Sequence, residues 1–293
     1  MTDPETHIDR LRIAAISFLN PAPLLWNFEH APTAAVLHQR YDVRYTLPAM
    51  CAQQLADGSA DLGLIPIAAL PALPHVVAVP GCTIASMHGV RSIQLVLKPG
   101  VTPASLQTLA TDAASRSSVA YVRVLLQKFY GNTPQIHEQD ADLDAMLATA
   151  DAALLIGDPA LLAVERRERD GTLADHTWMD VAGLWREHTG LPWVAAVWAV
   201  RPAALQRCGL RSQQLVDDLT QSRDAGVAHI AELVEEWLPK LELSRATIET
   251  YLTRNIHYTL DADCLKAIET FYALAAECGV LPAYRLRMLD GGE

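Results

Sequence analysis

Short apolar runs alternate with amphipathic segments from the start of the chain, and this alternation limits the fold more than any other feature. An apolar run at residues 13–18 precedes a helix predicted from Pro21, and another run follows at residues 41–47. Runs of four to eight apolar residues indicate strands, whereas apolar residues spaced by three and four indicate helices. Strands that alternate with helices are typical of an α/β protein. We therefore expect an α/β fold.

The pattern divides into two units. Three further apolar runs complete a first unit of about one hundred residues, namely 61–67, 76–86 and 92–98. A second unit begins at Thr102 and Pro103, because a capping Thr before Pro suits the start of a helix. It ends near the run WVAAVWAV, residues 193–200, which is apolar enough to be a buried strand that crosses back.

The part of the chain after Pro202 is helical in pattern, and its apolar faces must be covered by another element. We expect these helices to cover the first unit, which is then built from both chain ends. The prediction is a discontinuous first lobe of residues 1–100 and 197–293, and a second lobe of residues 101–196. Two such lobes leave a cleft at which helix N-termini from both sides can meet a ligand.

Charge and composition exclude several classes of partner. The 293 residues include 23 Lys and Arg against 34 Asp and Glu, which gives a formal net charge of −11. Such a chain offers no basic face for nucleic acid or for an anionic membrane surface. The N-terminal segment is polar, and no run approaches the eighteen uncharged apolar residues of a membrane span. We interpret the protein as cytoplasmic, with no nucleic-acid or membrane partner, and its oligomeric state stays open.

Motifs for metals and cofactors are missing from the sequence. The five cysteines are scattered singly, with no C-x-x-C, so neither a disulfide framework nor a thiolate zinc site is indicated. The sequence contains no H-E-x-x-H, no dinucleotide or phosphate-loop glycine motif and no G-x-S-x-G. We expect no metal and no organic cofactor.

Polar residues follow predicted strands at three places. Asn20 comes after the first strand and just before Pro21, and Gly157 and Asp158 follow the buried run LLI. Either polar side chain could face a ligand beyond the strand end or could simply cap the helix that follows. The segment ASRSS, residues 114–118, offers three hydroxyls and a guanidinium at a helix start. It suits a carboxylate or phosphate, although helix-opening serines are also common caps.

The chain resembles the chorismate dehydratase family, which initiates the futalosine route to menaquinone. The resemblance runs from about Arg12 to Leu281 and is carried by SFLN, LLIGD and TGLPWVAAVWA in that order. It implies the two-lobed fold of periplasmic solute-binding proteins of the second type, used here for catalysis. It also implies dehydration of chorismate to 3-[(1-carboxyvinyl)oxy]benzoate, which makes the protein a hydro-lyase.

The resemblance also implies roles for individual residues. Asn20 and Ser86 are the expected catalytic residues. The expected substrate-binding residues are Ser17, Ser115, Arg116, Ser117, Ser118, Gly157 and Asp158. Two alternatives stay open at this point: dihydroxynaphthoate synthase of the same pathway, and a non-catalytic cytoplasmic protein that binds a small anion.

Overall fold

A computed structural model describes residues 9–112 and 115–290 of the chain, which fold into two α/β lobes. The strands are β1 Leu11–Ile16, β2 Tyr41–Thr46, β3 Leu62–Pro66, β4 Val77–Ser86, β5 Ile93–Leu97, β6 Thr108–Asp112, β7 Gln135–Gln139, β8 Ala152–Ile156, β9 Thr177–Asp180, β10 Trp193–Val200 and β11 His257–Leu260. The α-helices are α1 Trp26–Glu29, α2 Thr33–Leu37, α3 Pro48–Asp57, α4 Ser117–Tyr130, α5 Leu143–Thr149, α6 Gly157–Asp170, α7 Val181–Thr189, α8 Pro202–Arg207, α9 Ser212–Ala228, α10 Ile230–Trp237, α11 Arg245–Thr250 and α12 Ala262–Glu277.

Each lobe is built on one mixed sheet. The first sheet has the order β11-β4-β10-β3-β1-β2 and the second has the order β7-β6-β8-β5-β9. In the first sheet β1 is parallel to β2 and β3, whereas β10 runs antiparallel to β3 and β4. The chain passes to the second sheet between β4 and β5 and returns between α7 and β10. The expected α/β, two-lobed architecture is confirmed.

The two changes of sheet fall earlier in the chain than the expected lobe boundaries at residues 100 and 197. Strand β5 pairs with β8 and β9 in the second sheet, and β10 belongs to the first sheet along its whole length. The reason for the difference is burial, because all five residues of β5 are buried. A strand that is apolar on both faces carries no periodicity that tells which sheet it joins.

The C-terminal helices cover the first lobe, as the sequence suggests. Helix α9 packs on the 3₁₀ helix Ala22–Leu25 so closely that a Cβ added at Gly226 would lie 2.1 Å from the Pro23 carbonyl oxygen. Helix α12 reaches the second lobe as well, where Phe271 stacks on Tyr121 with ring centroids 4.1 Å apart. Strand β11 is an exception, because it lies within the stretch that was expected to be helical throughout.

Within the described ranges, no helix is both long enough and apolar enough to cross a membrane.

Candidate functional site

A cavity lies between the two lobes, at the ends of strands from both sheets. Most of its wall is apolar. Its polar groups come from the segment that follows β1 and from the starts of α4 and α6. The lining residues are Ile16, Phe18, Asn20, Pro66, Ile84, Val90, Ser92, Ile93, Ser115, Arg116, Ser117, Ser118, Ile156, Gly157, Trp193, Ala195 and Ala196. A few convergent polar groups in an apolar cavity are typical of a site for a small organic molecule.

The second-lobe wall is the start of α4. Ser115, Ser117 and Ser118 are buried and line the cavity, whereas Arg116 lines it from an exposed position. None of these serines caps the helix, because Arg116 is the N-cap residue and no side chain accepts a capping hydrogen bond there. The first-turn N–H groups of a 14-residue helix and their partial positive charge therefore face the cavity, which favours an anionic ligand.

Ser117 differs from its neighbours because its hydroxyl joins the lobes. It donates to the carbonyl oxygen of Ala195 at 2.9 Å and accepts from the N–H of Ala68 at 3.2 Å, and both partners belong to the first lobe. Ser115 Oγ, in contrast, is buried without a hydrogen-bond partner among the described residues. An unpaired buried hydroxyl is costly unless a ligand satisfies it.

The first-lobe wall carries Asn20. Its side chain lines the cavity, and its amide oxygen is buried without a partner among the described residues. The residues that follow form a 3₁₀ helix whose N-cap is Pro21, with no side-chain capping bond. Asn20 therefore does not act as a cap, and its amide can both donate to and accept from a bound molecule.

The SFLN segment also contacts the second lobe at the start of α6. Phe18 rests on Gly157, where an added Cβ would lie 2.9 Å from Phe18 Cε2, and the N–H of Leu19 donates to the Asp158 carboxylate at 3.3 Å. Burial raises the pKa of Asp158 to about 6, and the hydrogen bond from Leu19 only partly opposes this shift. Gly157 lines the cavity, whereas Asp158, which is half-buried, is not one of the lining residues.

Besides Asp158, two of the residues expected at the site do not line the cavity. Ser17 is exposed and lines a different groove on the first lobe. Ser86 is buried at the end of β4, where its Oγ accepts from the N–H of His88 at 3.4 Å, and it is not part of the cavity wall. The structure therefore brings together Asn20, Gly157 and the ASRSS serines, but neither Ser17 nor Ser86.

Two polar groups of the wall were missed in the sequence. Ser92 lines the cavity, and its Oγ accepts from the buried Tyr251 hydroxyl at 2.8 Å, so the Ser92 hydroxyl hydrogen is free to donate. Trp193 Nε1 is a buried donor without a partner among the described residues. Both residues sit at the starts of apolar strands, where an apolar run gives no signal that one side chain faces a ligand.

Few side chains in the cavity wall can ionise. Among the described lining residues, Arg116 alone is titratable. Among residues 9–112 and 115–290, the side chains that could together hold a metal ion are His257, Asp261 and Cys264, whose ligand atoms lie within 4.8 Å of one another outside the cavity. Asp261 already caps α12 and pairs with His257 at 2.8 Å, and burial raises the pKa of the Cys264 thiol to about 12. These contacts favour a structural role.

The fold and the inter-lobe cavity define a protein of the periplasmic-binding-protein-like class. A protein of known structure from Archaeoglobus fulgidus superposes with a TM-score of 0.70 at 15% identity, covering 94% of this chain and 100% of that one. The alkanesulfonate-binding protein SsuA from Xanthomonas axonopodis pv. citri, bound to MOPS, gives a TM-score of 0.63 at 18% identity, covering 93% and 94%. These similarities show the fold alone.

The sequence identifies the family within this class. Residues 11–277 match the menaquinone biosynthesis family, and the chain belongs to that family. It is also 28% identical over 191 residues to chorismate dehydratase of Thermus thermophilus, which covers 62% of this chain and 67% of the relative.

Proposed function

We propose that this protein is a chorismate dehydratase, a hydro-lyase that converts chorismate to 3-[(1-carboxyvinyl)oxy]benzoate for menaquinone biosynthesis. The observation that carries the proposal is the cavity wall, which combines unpaired polar groups and a helix N-terminus with apolar surfaces. Chorismate is a dianion with an apolar ring, so it needs both kinds of surface. Membership of the menaquinone biosynthesis family and the similarity to a chorismate dehydratase support the same substrate.

The binding scheme places the two substrate carboxylates at opposite walls. One lies at the start of α4, where Ser115, Ser118 and the first-turn N–H groups donate to it. The other lies near the Asn20 amide, and the ring packs between apolar residues such as Ile156 and Ile93. Arg116, which is exposed at the start of α4, adds a local positive charge to the cavity of a chain whose net charge is −11.

The reaction removes one proton and one hydroxide. The proton leaves the ring carbon that bears the enolpyruvyl ether, and the electron pair is delocalised toward the ring carboxylate as a dienolate. The dienolate expels hydroxide from the neighbouring carbon, and proton and hydroxide together make water. Aromatisation drives the reaction, so the protein must chiefly select hydroxide rather than enolpyruvate as the leaving group, which is a matter of orientation.

The proton acceptor in this scheme is the substrate itself. Because the described wall contains no carboxylate and no imidazole, the enolpyruvyl carboxylate takes the proton, and Asn20 orients that carboxylate. Ser86 was the expected catalytic serine, but hydrogen bonding to the departing hydroxyl suits Ser92 better. Ser92 lines the cavity and has its own hydrogen available to donate.

Purified protein incubated with chorismate tests this function. We expect chorismate to be consumed with the appearance of 3-[(1-carboxyvinyl)oxy]benzoate, followed by aromatic absorbance and by mass. A parallel incubation with cyclic dehypoxanthinyl futalosine tests the dihydroxynaphthoate synthase alternative. Consumption of that compound while chorismate persists would overturn the proposal. Binding of chorismate without turnover would instead favour a non-catalytic anion-binding protein.

A further inference from the structure

A second groove lies on the first lobe beside the cavity. It contains about 700 Å³, and its wall includes Ile16, Ser17, Phe18, Tyr45, Trp237 and Lys240; we call it the front groove. Ser17, Tyr45 and Lys240 are exposed, so the groove is open to solvent. The function proposed above gives it no role.

Phe18 separates the front groove from the cavity. Phe18 and Ile16 line both spaces, but Ile16 is part of strand β1 and is 6% exposed, whereas Phe18 lies beyond the strand end. The Phe18 ring closes the gap between the lobes by resting on Gly157. A rotation of this one side chain would therefore join the two spaces without movement of a sheet.

The front groove contains one positive and one negative side chain, Lys240 and Glu29, which have different neighbours. Lys240 Nζ lies over the Trp237 ring, 4.7 Å from its centroid, and is exposed. The Glu29 carboxylate, also in the groove wall, accepts a hydrogen bond from the Tyr45 hydroxyl. Both groups are exposed, but Lys240 is presented on an aromatic surface, whereas the Glu29 carboxylate is held by Tyr45.

The groove also lies close to the junction of the lobes. Ser244, four residues after Lys240, donates its N–H to Glu165 of α6 at 3.1 Å, and Thr247 also bonds that carboxylate. Helix α6 begins at Gly157, the residue on which Phe18 rests. Lys240 and Phe18 line the same groove, and Phe18 contacts the start of this helix.

We propose that the front groove is the entrance to the cavity for the anionic substrate, with Phe18 as the side chain that opens and closes it and Lys240 as the cation that attracts the ligand. This proposal rests on the proposed function for the identity of the ligand. A cation at the entrance accelerates association with an anion, and the effect weakens as salt screens the charge.

Stopped-flow binding of the product 3-[(1-carboxyvinyl)oxy]benzoate, followed by tryptophan fluorescence, tests the entrance without needing turnover. Lys240→Gln is expected to lower the association rate constant about three- to fivefold at low ionic strength and by less than twofold in 0.5 M NaCl. Phe18→Leu, which shortens the side chain, is expected to raise the association and dissociation rate constants together and to leave Kd within about threefold.

Lys266→Gln is the matched control, because Lys266 is exposed on α12 and lines neither space. An association rate constant unchanged in both Lys240→Gln and Phe18→Leu would overturn the proposal, and so would an equal fall in Lys266→Gln. A Phe18→Leu variant that only dissociates faster would mean that Phe18 is merely part of the wall. Normal product binding kinetics without turnover of chorismate would overturn the proposed function but not the entrance.

Discussion

The two walls of the cavity use their polar groups differently. At the second-lobe wall, the Ser117 hydroxyl is hydrogen-bonded to the first lobe, whereas the Ser115 hydroxyl beside it has no partner among the described residues. At the first-lobe wall, the backbone of the SFLN segment makes the inter-lobe contact through Leu19, which leaves the Asn20 amide to the cavity. In each motif, therefore, one residue holds the lobes together and a neighbouring residue presents an unpaired polar group to the cavity.

Asn20→Ala is the change with the largest expected effect, because in the proposed mechanism Asn20 orients the group that takes the proton. We expect kcat to fall by about 10² or more, with a smaller loss of product affinity. His88→Ala and His188→Ala are the controls. His88 is exposed, and His188 stacks on Phe129 outside the cavity. Both should keep wild-type kcat. A loss in either variant as large as that in Asn20→Ala would point to a histidine base and contradict the role proposed for Asn20.

Ser92→Ala and Ser86→Ala compare two serines that lie at the ends of the same connection, the one that joins β4 to β5. We expect Ser92→Ala to lower kcat by about tenfold or more, because it removes a donor to the departing hydroxyl. Ser86→Ala should change kcat by less than about threefold. Tyr251→Phe, which removes only the bond to Ser92 Oγ, reports the cost of disturbing that contact. The reverse order of effects would restore Ser86 to the role that the sequence predicts.

Ser115→Ala should weaken product binding by about one to two powers of ten, because a charge-assisted hydrogen bond contributes about 1.5–3 kcal/mol. Ser117→Ala should also weaken binding, but by destabilising the contact between the lobes. It should therefore lower the melting temperature as well, whereas Ser115→Ala should not. Calorimetric titration and thermal unfolding of both variants check this difference, with Ser212→Ala at the start of α9 as the control. Wild-type affinity in Ser115→Ala would leave that hydroxyl without a function.

Asp158 should make folding stability depend on pH. Its pKa of about 6 lies above the value of an unfolded Asp, so the folded state holds the proton more tightly and loses stability as pH rises from about 4 to about 6. Asp158→Asn removes that loss and should be more stable than the wild type by about 2 kcal/mol at pH 8 and by less at pH 4.5. Urea unfolding at both pH values measures the difference, and an Asn variant that is less stable at pH 8 would contradict the burial of the carboxylate.

Much of the fold follows from the sequence because strand and helix periods are local. The strands β2, β3, β4, β5 and β10 lie within about a residue of the apolar runs that predicted them. The lobe boundaries do not follow from local pattern, because β5 is buried on both faces and its sheet is decided by long-range pairing.

The site is only partly readable from the sequence. Asn20 and the ASRSS serines were found because polar residues at helix starts stand out against apolar runs. Whether such a residue caps its helix, bridges the lobes or meets the ligand depends on its side-chain partner, which lies far away in the sequence. Ser117 and Ala195 illustrate this, since they are 78 positions apart. Ser92 and Trp193 were missed because each stands at the start of an apolar run.

In the proposed mechanism the substrate, rather than a side chain, accepts the proton. Among the described carboxyl groups, the strongest rival as the base is Asp158, which is half-buried, follows the cavity residue Gly157 and has a pKa of about 6. The kcat of Asp158→Asn at pH 8, measured together with its affinity for the product, decides between the two. Our account predicts kcat within about fivefold of the wild type, whereas a fall of about 10² or more with unchanged product affinity would make Asp158 the base and contradict the account.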